Sequence, residues 1–134
     1  MNILVIDAQG GGIGKQLVSA IKKNLPQVTV TAVGANTIAT TAMMKAGADY
    51  AATGENAVVV NAGRADMIVG PIGIVIADSL LGEITAKMAN AIAMSRAKRI
   101  LIPVNHCDNI VVGVGDLNLS HLICEVITQI SKAL

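Results

Sequence analysis

Aromatic side chains are almost missing from this chain of 134 residues: Tyr50 stands alone, with no Trp and no Phe. A core without rings must be built from Ile, Val, Leu, Ala and Met. Binding of nucleic acid by base stacking loses its platforms. Charge is scarce as well. Asp, Glu, Lys and Arg make 14% of the residues and the formal net charge is +1, so no basic footprint points to a nucleic-acid partner. The Lys22-Lys23 pair and the Arg96 to Arg99 cluster read as solvated helix ends. Cysteine is limited to Cys107 and Cys124. That spacing sets no disulfide framework and implies a reducing, cytoplasmic setting. The longest apolar run, Met67 to Ala77, lies between Asp66 and Asp78 and contains Gly70, Pro71 and Gly73. It is too short to span a bilayer, so no membrane partner is expected. The N-terminus reads as a strand interrupted at Asp7 rather than as a signal peptide.

What is abundant is apolar aliphatic sequence, at 53% hydrophobic residues. That excludes disorder and suits one domain over residues 1–134. With so few charges, part of the apolar surface is expected between subunits of a homo-oligomer, a dimer foremost.

Strand and helix signals alternate, which predicts an α/β fold: a Rossmann-like three-layer sandwich on a mostly parallel sheet. Strands are expected at Asn2 to Ile6, Val28 to Val33, Asp49 to Ala52, Met67 to Val69 and Arg99 to Val104. A helix with Ile13, Leu17, Val18, Ile21 and Leu25 at helical spacing runs to Asn24 and stops at Pro26. Asn36 or Thr37 caps a second, with Ile38, Ala42, Met43 and Ala46 on one face and Gly47 as its stop. The three valines of "TGENAVVVNAG" favour a strand and a hairpin, but a parallel sheet needs a crossover, which predicts a short helix over Glu55 to Ala62. A helical segment is expected from Ile74 to about Gly82, then a helix capped by Thr85 to about Ser95. The loop Asn105 to Asn109 is too short for a parallel crossover, so Ile110 to Val114 is expected as an antiparallel strand beside the fifth. A last helix over Asn118 to Ala133 turns Leu122, Ile123, Val126, Ile127 and Ile130 to the sheet. The implied order is 3-2-1-4-5.

Ligands of such sheets sit beyond the carboxyl ends of the strands, at the switch point. Those ends read "DAQGGGIGK", "GANT", "ATGENA", "GPIG" and "PVNHCDN". The first carries a strand directly into a glycine cluster and a helix, a backbone cradle for an anion. Its spacing fails the G-x-G-x-x-G fingerprint, because the third glycine position falls on Lys15. It is closer to the T-G-x-x-x-G-x-G loop of short-chain dehydrogenases. However, Asp7 and Ala8 replace Thr and Gly, the ribose-binding acid after the second strand is missing, and there is no Tyr-x-x-x-Lys. It also looks like the deviant phosphate loop of ParA-type ATPases, except that Gln16 replaces the magnesium-holding hydroxyl.

The candidate ligand residues are Asp7, Gly10, Gly11, Gly12, Ile13, Gly14, Lys15, Asn36, Thr37, Thr53, Glu55, Asn56, Gly70, Pro71 and Asn105. Asp7 conflicts with a phosphate beside it and serves either to cap the loop or to hold a hydroxyl, cation or proton. A metal site at His106-Cys107 or His121-x-x-Cys124 matches no common zinc spacing, and Cys124 is expected near the core face.

Taken together, "DAQGGGIGK", "GANTIATTAMMKAGADYAATGENA", "ADMIVGPIGIVIADSLLGEIT" and "KRILIPVN" resemble a small bacterial, Firmicutes-type family of single-domain proteins catalogued only as a domain of unknown function. The resemblance spans nearly the whole chain, implies no activity and carries over no catalytic residue. The expected function is binding of a small molecule, a nucleotide, a dinucleotide or another phosphorylated compound, at residues 10–14. The alternatives are an enzyme on a small metabolite using Glu55, Asp7, His106 or Cys107, and a non-enzymatic oligomeric regulator or scaffold.

Overall fold

The computed structural model describes residues 1–104, 108–115 and 118–134. Its strands are β1 (Asn2–Asp7), β2 (Thr29–Gly34), β3 (Tyr50–Thr53), β4 (Met67–Pro71) and β5 (Lys98–Ile102). The helices are α1 (Gly12–Asn24), α2 (Thr37–Lys45), α3 (Glu55–Ala62), α4 (Ala86–Met94) and α5 (Leu119–Ala133). The sheet has the order β3-β2-β1-β4-β5, and every pairing is parallel. β1 and β4 are almost wholly buried, as expected of strands covered on both faces.

Two cores result. Ile3, Val5, Val30, Ala32 and Val69 meet α1, α2 and α5. Leu4, Ile6, Val33 and Ile68 meet α3 and α4. The α3 crossover is helical despite its valines, because parallel β3 and β4 lie on opposite sides of β2 and β1 and no hairpin can join them.

Four sequence expectations need correction. Ile110 to Val114 forms no strand: Gly113 has φ +84 and turns the chain, and Ile110 and Val112 are 87% and 88% exposed. Among the described residues β5 is therefore an edge strand. The helical segment from Ile74 to Gly82 shrinks to a 3-10 turn at Ile72–Val75 followed by turns. Asp78, Leu80, Leu81 and Gly82 all have positive φ, which a right-handed helix forbids. α2 buries Ala39 and Met43 and turns Ile38 outward. Cys124 is exposed, because α5 points Ile123, Val126 and Ile130 inward.

Candidate functional site

Asp7 ends β1, and the chain then turns sharply before α1. Gln9 and Gly11 both take positive φ, and the Gly11 N–H donates to the Ala8 carbonyl at 3.0 Å. The N-cap residue Gly11 has no side chain with which to cap the helix. Asp7 does it from the strand. Its Oδ2 accepts from the Gly14 N–H at 2.7 Å and its Oδ1 from the Ala8 N–H at 2.8 Å. Gly14 is the third helical residue, so this carboxylate fills the inner anion position of the helix N-terminus. Burial pushes the Asp7 pKa up, the bonds from Gly14 and Ala8 pull it down, and the charge of Glu83 raises it further; the net shift is upward.

The five residues 10–14 do not form one cradle. A Cβ on Gly11 would lie 2.8 Å from the Ala39 Cα, and one on Gly14 would lie 2.6 Å from the Met43 sulfur and 2.8 Å from the Asp7 Cβ. These glycines let α1 close on α2 and make room for Asp7. Gly70 is similar, since a Cβ there would run into the Ile6 carbonyl and come within 3.0 Å of Ile74. Gly10 and Gly12 differ. Both are exposed, neither has positive φ, and a Cβ on either would meet nothing within 4 Å.

Glu83 joins three loops at this rim. Its Oε2 accepts from the Gln9 N–H at 2.9 Å and its Oε1 from Asn36 Nδ2. Asn36 Nδ2 also donates to the Gln9 carbonyl at 2.9 Å, while Asn36 Oδ1 caps α2 through the Ala39 N–H at 2.9 Å. Asp7, the glycine turn and Asn36 are thus brought together by Glu83, which the sequence leaves either facing this cleft or punctuating the helices, as it does Asp78 and Ser79, and which is not among the ligand candidates named above.

Of the other candidates, Thr53 reaches this knot through Thr40, whose hydroxyl donates to the Asn36 carbonyl at 3.0 Å. Thr53 shares a hydroxyl contact with Thr40 at 2.7 Å, and Glu55 accepts from the Thr85 hydroxyl at 2.6 Å, tying the start of α3 to the cap of α4. Thr37 and Asn56 are exposed in the first turns of α2 and α3. Pro71 is buried at the end of β4. Lys15 is exposed and lines a groove of about 650 Å³ between α1 and α2, with Ile38, Thr41, Ala42, Lys45 and Ala46. Asn105, His106 and Cys107 lie outside the described residues. Among the described residues no cluster of His, Cys, Asp or Glu could hold a metal, and no helix is long and apolar enough to cross a membrane.

No curated protein matches the chain. Among solved structures it is similar to a dodecameric FMN-dependent UbiX-like decarboxylase from Escherichia coli O157:H7. The two are 18% identical with a TM-score of 0.51, over 98% of this chain and 75% of that one. At that identity the likeness shows a shared Rossmann-type fold. The family described as Domain of unknown function (DUF3842) matches residues 2–134, and the chain belongs to that family.

Proposed function

We propose that this domain binds a nucleotide or another phosphorylated small molecule, with the phosphate on the outer side of the α1 N-terminus against Gly10, Gly12 and Ile13. The observation that carries this is the split among the glycines. Packing accounts for Gly11 and Gly14, while nothing in the fold requires glycine at positions 10 and 12. A ligand that must approach the backbone closely does. Because Asp7 occupies the inner position, the phosphate has to lie outboard, where Lys15 stands one residue beyond Gly14. FMN is the first probe to use, because the fold neighbour is described as FMN-dependent. Self-association belongs to the same reading, because the fold neighbour is described as dodecameric.

A thermal-shift series with FMN, NAD and ATP tests the reading. Ligand at a hundred times its Kd adds about 2.7 kcal/mol. The paired variant is Gly12→Glu. A carboxylate in the first helical turn suits the helix dipole and replaces a glycine, so the unliganded protein should be as stable or slightly more stable. Ligand stabilisation should vanish, because the new carboxylate occupies the phosphate position. No stabilisation by any member of the series, or equal stabilisation of Gly12→Glu, overturns the proposal.

A further inference from the structure

The opposite end of the sheet carries a groove that the reading above does not use. Along the face covered by α3 and α4, alternation places Asn2, Leu4 and Ile6 on β1, Thr29, Thr31 and Val33 on β2, and Tyr50 and Ala52 on β3. Leu4, Ile6 and Val33 belong to the core. Toward the amino ends the same face turns polar. The register sets Asn2 beside Thr29 and Thr31 beside Tyr50, so the polar residues form one patch across three strands. α3 ends above it, adding Asn61 and, just beyond, Arg64. Together these six line a groove of about 350 Å³.

We infer that this groove is a second ligand site, for a small polyol bearing one anionic group. Every lining residue can make hydrogen bonds, and several still have capacity to do so. Thr31 donates to Asn2 Oδ1 at 3.2 Å, and Asn61 spends its Nδ2 on the Ala57 carbonyl at 2.8 Å, which leaves Asn61 Oδ1 as an acceptor. Among the described residues nothing engages the Tyr50 hydroxyl, the Thr29 hydroxyl or the Arg64 guanidinium. Forked donors, hydroxyls that both give and accept, and a lone acceptor are the mixture that adjacent ligand hydroxyls satisfy. An apolar ligand would leave them unpaired, which costs more than it gains. The ring of Tyr50, 67% exposed, offers a flat apolar surface to the C–H face of a sugar. Arg64 is the only cation in the lining. Asp66 holds the Asn2 N–H at 2.7 Å beside the groove, which disfavours a ligand with more than one negative group.

Tyr50 is the chain's only aromatic residue, so its intrinsic fluorescence reports on this groove alone. The full chain is titrated with glucose 6-phosphate, gluconate, glucose and inorganic phosphate. A saturable change in emission is expected with glucose 6-phosphate or gluconate, and the tighter of the two identifies phosphate or carboxylate as the anionic group. Arg64→Ala should weaken it about tenfold or more. Thr29→Val, which keeps the strand and removes one hydroxyl, should weaken it about threefold or more. Gly12→Glu, at the other end of the sheet, should leave it unchanged. No saturable change, a response to inorganic phosphate alone, equal binding of glucose, or undiminished affinity in both groove variants overturns the inference.

Discussion

Replacing Asp7 by alanine removes the cap of α1 and leaves the buried Gly14 N–H without its acceptor at 2.7 Å. Losing an exposed N-cap costs about 1 kcal/mol. Because this donor is buried, the cost of that same bond moves into the range of about 1–3 kcal/mol for a stranded buried group, and the second bond, from the Ala8 N–H, is lost with it. Part of that is returned, because a carboxylate only 5% exposed no longer has to be kept ionised. The net expectation near neutrality is a loss of roughly 2–3 kcal/mol. With an unfolding entropy of about 2.1 cal/mol/K per residue, a chain of 134 residues loses about 3.6 °C per kcal/mol, hence roughly 7–11 °C in Tm. Urea unfolding followed by circular dichroism, checked by calorimetry, measures both.

The pH dependence has a defined sign. Burial raises the Asp7 pKa in the folded protein. A raised acid holds its proton more tightly when folded, so its contribution is full below the unfolded carboxylate value and is lost as pH rises to the folded value. The alanine variant has no such loss. The gap between the two proteins should therefore be widest in acid and narrow toward neutrality. The variant also frees the inner anion position, so inorganic phosphate should raise its Tm more than that of the natural protein. A loss under about 0.5 kcal/mol, the range of an ordinary surface change, would refute the capping role of Asp7. Equal response to phosphate would refute its occupation of the anion position.

Glu83→Ala removes the acceptor shared by the Gln9 N–H and the Asn36 side chain. Since these groups are partly exposed, the cost should be about 1 kcal/mol, and amide hydrogen exchange should quicken at Gln9 with little change in β1. Gly11→Ala places a methyl 2.8 Å from the Ala39 backbone at φ +72 and should cost at least about 2 kcal/mol by urea unfolding. Stability within about 0.5 kcal/mol of the natural protein would disprove the close α1–α2 approach.

The sheet was legible in the sequence because parallel strands buried on both faces are short aliphatic runs, and the lengths between them admit only helical crossovers. That logic places α3 over Glu55–Ala62 against the preference of its valines. Two caps were legible too: Asn36, one of the two candidates for α2, and Thr85 each accept from a first-turn N–H of the helix they precede, whereas Asn118, read as the first residue of the last helix, is its cap. These are local or topological constraints, and the chain carries them in its residue types.

The stretch after β4 and the segment Ile110 to Val114 were misread, because aliphatic composition cannot reveal positive φ at Asp78, Leu80 and Leu81 or a turn at Gly113. The site divides in the same way. The sequence by itself placed a glycine turn and an acid between a strand and a helix. Only tertiary structure decided what each residue does there. Asp7 folds onto Gly14 seven residues away, Glu83 reaches Gln9 across 74 residues, and α2 leaves no space for a side chain at Gly11 or Gly14. Contacts between residues remote in sequence follow from packing in space, and no local pattern encodes which glycine faces protein and which faces outward.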